Sequence, residues 1–240
     1  MVVLKPLYGI AEAGTHWWAT YSRHHKEKLG MISSTYDPCL LITDNGPLSI
    51  VGMQTDDTVI LGDEEFSGRE TDAMTFKSKE KTRLDKGTTL TFNGCTIVRS
   101  DDGDTITVQP KEQGKKILLI NIRGNVKQQY LKQRARGAYL ASTCQPEASF
   151  DLATAAQAVN PNEKDVETLN KRLQWQMDNL TRGLQYVPLT LQNMKLFIFV
   201  DGSFANNRDL SSQIGYVIVL DNESTDTDNS NFTLIDNIIH

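Results

Sequence analysis

Apolar and polar positions along this chain fall into short alternating runs separated by turn residues, with longer helix-period stretches between them. The clearest β signal lies at residues 90–108. There Leu90, Phe92, Ile97 and Val98 precede a turn at 100–104, and alternation resumes at Ile106 and Val108. An earlier hairpin is expected from an apolar run at 39–43, turn chemistry at Asp44-Asn45-Gly46-Pro47, and a return at 48–53. Gln54-Thr55-Asp56-Asp57 then leads into a further apolar run at 58–62, so two carboxylates sit between two β runs. Lys5-Pro6-Leu7-Tyr8-Gly9 reads as a turn entering a helix that Thr15 caps, Trp18, Tyr21 and Leu29 carry, and Gly30 stops. Residues 64–84 read as a second helix, with Phe66, Ala73, Phe76 and Leu84 along one face, and 111–140 as a basic helical region. Between 165 and 186, Val166, Leu169, Leu173, Met177, Leu180 and Leu184 form an a/d-like stripe with a polar opposite face. A strand at 195–201 ends in Asp201, a second strand follows at 213–220 after a turn-rich stretch, and 221–231 reads as a loose polar loop.

With 240 residues, 39% hydrophobic and 23% charged, the chain has material for one large domain or two small ones. The longest apolar runs are five residues, far short of the roughly 20 that span a bilayer, and residues 1–7 lack the apolar core of a signal peptide. No membrane is expected among its partners. The formal net charge is −5 and the pI near 5.4, but the charge is segregated. Residues 111–136 carry eight bases (Lys111, Lys115, Lys116, Arg123, Lys127, Lys132, Arg134, Arg136) against Glu112, whereas 201–240 carry seven acids against Arg208. Such a block either tracks a phosphate backbone or forms a solvated helix face. Cys39, Cys95 and Cys144 show no zinc-ligand spacing; each reads as a small buried hydrophobe in a reducing compartment.

The Asp56-Asp57 pair is the sharpest chemical feature. Phosphoryl transfer to a growing nucleic acid uses two metal ions about 3.5–4 Å apart, held by carboxylates on a rigid support. Magnesium suits that role because it takes a few hard carboxylate oxygens plus substrate phosphates. The pair also fits a solvated turn, as Asp101-Asp102 does, and both readings stay open on spacing alone. Asp201, ending a buried-type strand before Gly202-Ser203, sits where a metal-dependent nuclease places a first ligand, or simply starts a turn. His24-His25 has no ligand partner at metal spacing and reads as a solvated helix face. Walker A, GxGxxG and GxSxG motifs are absent from the sequence.

The order of these pieces resembles copia-type retrotransposon reverse transcriptases. Lys5-Pro6-Leu7-Tyr8-Gly9 with Trp17-Trp18 is similar to their K-x-L-Y-G-L…W segment, and Asp37-Pro38-Cys39-Leu40-Leu41 to D-P-S/C-L-F. Gln54-Thr55-Asp56-Asp57 takes the place of the Y-V-D-D box, and Phe92-Asn93-Gly94-Cys95-Thr96-Ile97 resembles the L-G-I hairpin after it. Arg136 to Ser142, followed by Cys144-Gln145-Pro146-Glu147 and Phe150-Asp151-Leu152, looks like the family's connection segment. Val200-Asp201-Gly202-Ser203 with Ser211-Ser212-Gln213-Ile214-Gly215-Tyr216-Val217 looks like the opening of its ribonuclease H domain. The wording is most similar to retroelement polyproteins of filamentous fungi.

The resemblance implies an α+β chain. It would hold the C-terminal part of a reverse-transcriptase palm at 1–110, a thumb and helical connection at 111–190, and the first strands of a ribonuclease H-like domain at 191–240. It implies Mg2+ held by Asp56 and Asp57 in the palm and by Asp201 in the nuclease. An RNA template and DNA primer would be its partners, with Lys111, Lys115, Lys116, Arg123 and Lys127 on the phosphates, together with the rest of the polyprotein. A cytoplasmic or nuclear virus-like particle would be its setting. Gln54 and Thr55 replace the usual Tyr and Val, and Glu12 and Gly14 stand where Gln and Pro are usual. The family's upstream metal-binding Asp, and the later Glu and Asp of its nuclease, are expected to fall outside this chain, leaving both active sites incomplete. Asp37 and Asp63, which flank the hairpin, are the first candidates for a completing carboxylate. A non-catalytic remnant that binds nucleic acid or a protein partner is the alternative, and an unrelated α+β protein a third.

Overall fold

The computed structural model describes residues 12–46, 48–55, 57–75, 79–205, 207, 210–222, 224–225, 232–233 and 236–239. The fold is α+β, built from small antiparallel sheets and short helices, and divides into two compact units, Met1–Thr82 and Arg83–His240.

The first unit opens with α1 (Ala13–Leu29). Thr15 lies inside the helix; the cap position is Glu12, whose side chain makes no capping bond. Gly30 ends it as the sequence predicts. At φ 66° Gly30 takes the left-handed conformation that spares glycine any Cβ clash, and its N–H returns to His25 O. Lys26 and Lys28 in the last turn complement the helix dipole. Strands β1 (Met31–Ser33), β2 (Leu40–Thr43), β3 (Ile50–Gln54) and β4 (Asp57–Leu61) form a meander in sequence order. Leu41 pairs with Val51, and both are fully buried. With Tyr21, Leu29, Met31, Met53 and Phe66 they make the core of this unit. Helix α2 (Glu64–Ala73) starts where Asp63 accepts the Phe66 N–H at 2.7 Å. It is shorter than the expected 64–84: Met74 is already extended, Leu84 lies off the helix, and Phe76 falls outside the described residues.

The second unit begins with β5 (Thr89–Phe92), β6 (Cys95–Arg99) and β7 (Ile106–Pro110). The run at 90–98 is two strands rather than one arm. Phe92 pairs with Cys95 across Asn93-Gly94, whose φ values of 46° and 72° make a type I′ turn. A Cβ on Gly94 would run into the Tyr139 hydroxyl, so glycine is needed there for space as well as for φ. The basic region is not one helix. A single 3-10 turn at Gly114–Lys116 is followed by irregular chain, and α3 spans Val126–Thr143. Helices α4 (Ser149–Ala156) and α5 (Glu163–Asp178) pack on α3, and α5 is started by a reciprocal Asn162/Asp165 capping box. Val166, Leu169 and Leu173 are buried as expected, beside Tyr130, Leu140 and Leu152. The stripe stops at 178, however, and Leu184 belongs to β8 (Leu184–Tyr186), which pairs with β7 to complete a four-stranded sheet. Residues 83–110 therefore share a sheet with chain that lies beyond the helices.

Strand β9 (Lys195–Ser203) pairs along its whole length with β10 (Gln213–Asp221). After β11 (Ser224–Thr225) and β12 (Phe232–Thr233), which pair with each other, β13 (Asp236–Ile238) adds to β10. Part of the stretch read as a loose loop is thus a short ladder. Leu196, Ile198, Phe199 and Val200 of β9 are all at least half exposed. No helix among the described residues is long and apolar enough to cross a membrane.

Candidate functional site

Strands β3 and β4 join through Thr55 and Asp56, with Gln54 opposite Asp57 in register. The carboxylate-bearing segment therefore forms the bend of a hairpin, as its sequence position suggests. Thr55 takes a φ of 55°, a left-handed conformation that a β-branched residue rarely adopts. Asp57 is exposed at the first position of β4; Asp56 lies outside the described residues. Beside the bend is a depression of about 330 Å³ lined by Gly14, Thr15, Trp18, Cys39, Met53 and Thr55. Asp57 does not line it. The flanking carboxylates are otherwise engaged. Asp37 Oδ1 accepts the Cys39 N–H at 2.8 Å in a turn, and Asp63 caps α2.

Asp201 does not end its strand. It sits within β9, exposed and paired opposite Gly215, with two further strand residues after it. Among the described residues no three His, Cys, Asp or Glu side chains come together as a metal-binding group. Asp57 and Asp201 therefore belong to no such group among the described residues, and Asp56, the neighbour of Asp57, lies outside them.

The basic residues are placed differently from one another. Lys111 follows β7, Lys115 and Lys116 sit on the 3-10 turn, Arg123 lies in the irregular stretch, and Lys127 is in the first turn of α3. All five are exposed, and among the described residues none forms an ion pair. Lys127 donates to Asn160 Oδ1 at 3.0 Å, and the Arg136 guanidinium donates to the Lys116 carbonyl, which ties α3 to the 3-10 turn. On α3 the spacing separates Lys127 and Arg134 (i, i+7) from Lys132 and Arg136 (i, i+4), so the helix offers two basic stripes. Leu118, Leu119 and Ile122 are exposed between the positive positions.

The cluster that sequence reasoning missed lies inside the first unit. His24 and His25 are buried, 8% and 0% exposed, not solvated. The helical period puts Tyr21 and His25 on one face, where the two rings pack tilted with centroids 4.1 Å apart and His25 Nδ1 lies 3.1 Å from Tyr21 O. Glu70 of α2, 1% exposed, accepts from Tyr21 Oη at 3.5 Å, approaches His25 Nε2 at 3.8 Å and receives the Lys81 ammonium. Burial pushes the Tyr21 phenol up to about 12, although a hydrogen bond with Thr58 opposes this. Burial also holds His25 below its ordinary 6.5, so its contact with Glu70 is not an ion pair at neutral pH; Lys81 supplies the charge. The one sequence signal was a Tyr-x-x-x-His spacing on a helix. Its meaning came only from a carboxylate 45 residues beyond His25. Comparison with protein-family models, with curated proteins and with solved structures gives no match for this chain.

Proposed function

We propose that this chain is of the copia-type reverse transcriptase–ribonuclease H kind and handles an RNA template and DNA primer without extending the primer itself. The observation that supports the reading is the β3–β4 bend. Gln54 and Asp57 face each other across a two-residue connection, which puts the box-like segment at the tip of a hairpin beside an open depression. By the resemblance, Asp56 and Asp57 would be the palm's magnesium ligands and Asp201 the first ligand of the nuclease. Among the described residues neither Asp57 nor Asp201 belongs to a group of three or more side chains that could hold a metal, so no phosphoryl-transfer step is assigned to them. Positioning and electrostatics are nearly the whole of that catalysis. Residues 1–240 with Mg2+ are therefore expected to give no primer extension on RNA and no cleavage of an RNA–DNA hybrid. Extension that disappears in an Asp56→Asn/Asp57→Asn double variant would overturn this.

The exposed bases favour a second reading, a non-catalytic nucleic-acid-binding module. Fluorescence anisotropy with a labelled RNA–DNA duplex is expected to show affinity that falls steeply with salt. If about four phosphates are neutralised, the slope of log K against log salt is about −3.6. Charge reversal at Lys115, Lys116 and Arg123 is expected to flatten that slope, and salt-independent binding would eliminate the reading.

A further inference from the structure

Cys95 opens β6 directly after the Asn93-Gly94 turn, and Cys144 stands at the C-terminal cap of α3. Tyr139 seats the last turns of that helix on the bend, its hydroxyl donating to Asn93 O at 2.6 Å. Held this way, the two thiols lie near enough for each to shift the other's ionisation. Both are buried, 6% exposed for Cys95 and 1% for Cys144. Cys144 Sγ also lies 3.5 Å from Thr143 Oγ1 and 3.7 Å from Leu140 O, so the helix end fixes its position. Tyr139 and Tyr186 flank the pair closely enough for both phenols to be raised, by burial first and by the two sulfurs after it.

The two sulfurs are not equivalent. The neighbouring Cys144 side chain and Thr143 hydroxyl bring the Cys95 thiol down to about 7 against its burial, whereas the nearness of Cys95, together with burial, pushes Cys144 up. A lowered thiol beside a protonated one is the arrangement of an attacking and a resolving cysteine.

We propose that Cys95 and Cys144 form a redox dithiol, closed by a peroxide into a disulfide that ties the β5–β6 bend to the end of α3. The Cys95 thiolate attacks one peroxide oxygen and breaks the O–O bond. The sulfur becomes a sulfenic acid, and the other oxygen leaves as hydroxide, which takes a proton to become water. The Cys144 sulfur then attacks the sulfenic sulfur, the S–O bond breaks, and a second water carries away the Cys144 proton. Two thiols are oxidised and one peroxide is reduced to two waters. The proposal is independent of any polymerase reading.

The test uses the full chain with hydrogen peroxide as probe, followed by alkylation and non-reducing peptide mapping by mass spectrometry. Expected are a Cys95–Cys144 linked peptide, loss of two hydrogen masses from the intact chain, and Cys39 recovered alkylated. A melting temperature that rises on oxidation and returns with dithiothreitol is also expected, because the link restricts the unfolded chain across a long loop. Recovery of both Cys95 and Cys144 as alkylated thiols, their separate over-oxidation, or a link that runs through Cys39 would overturn the proposal. The unsubstituted chain decides between these outcomes. A Cys144→Ser variant adds a sharper reading, since it is expected to leave Cys95 as a sulfenic acid that dimedone traps.

Discussion

Each unit of this protein buries polar side chains, but they do so by different chemistry. In the first unit the buried group is a carboxylate, Glu70, surrounded by Tyr21, His25 and Lys81. In the second, between α3 and α5, it is a pair of amides: Gln176, fully buried on α5, donates to Gly137 O at 3.1 Å and to Gln145 Oε1 at 3.2 Å, and Gln145 donates to Asn179 O at 2.9 Å. A buried carboxylate needs a cation, and that cation comes from Lys81, which remains 44% exposed. The amides need only backbone carbonyls and each other. The Glu70 cluster should therefore respond to pH, and the amide cluster only to the loss of atoms.

The largest expected effect lies in the amide cluster. Gln176→Ala removes two hydrogen bonds and leaves a gap between α3 and α5, costing about 3 kcal/mol. The measurement is urea unfolding followed through Trp175, with Trp17 and Trp18 replaced by Phe. A cost under about 0.5 kcal/mol, the range of an inert surface change, would mean that the amides are not holding the helices together. Glu70→Ala should cost less, about 2 kcal/mol, because Lys81 regains water instead of staying buried and unpaired. Here Trp17, whose ring centroid lies 5.5 Å from that of Tyr21, is the reporter.

The smallest effect is the one that separates the two interiors. His25 has a folded-state pKa below its ordinary 6.5, so below pH 6.5 the unfolded chain binds a proton that the folded chain refuses. The first unit should lose stability as pH falls from 6.5 toward the lowered value and keep it above 6.5. Tyr21 works from the other side. Raised from 10.0 to about 12, it makes stability fall as pH rises through that window, since the unfolded phenol ionises first. His25→Phe should remove the acid limb and leave the alkaline one. An acid limb that persists in that variant would assign the dependence to other groups.

Much of the strand order was legible because turn residues and alternation are local signals. The β2–β3 hairpin, the β3–β4 bend with Asp57 and the β9–β10 pair all lie where the pattern put them. Asn93-Gly94 was equally local but was hidden inside a run that could be taken for one arm; the dipeptide itself was the signal. The a/d stripe overran α5 because Leu180 and Leu184 keep the spacing by chance after the helix has ended at Asp178. What stayed illegible was tertiary. Nothing near His25 announces Glu70, nothing near Cys95 announces Cys144, and an Asp-Asp step does not reveal which other carboxylates approach it.

The pairing of β7 with β8 also sets an order of events in folding. β5 and β6 are joined by two residues and β6 and β7 by a short turn, so those ladders close over little chain. Val108, by contrast, pairs with Leu184, and all three helices of the unit lie between them. Closing that long a segment as free coil costs more entropy than closing either hairpin, and long-range strand pairing is slow for that reason. Once α3, α4 and α5 have packed, the intervening chain is compact and the cost falls. The fourth strand should thus dock last, and hydrogen exchange should find the amides of Leu184–Tyr186 protected later than those of Thr89–Phe92.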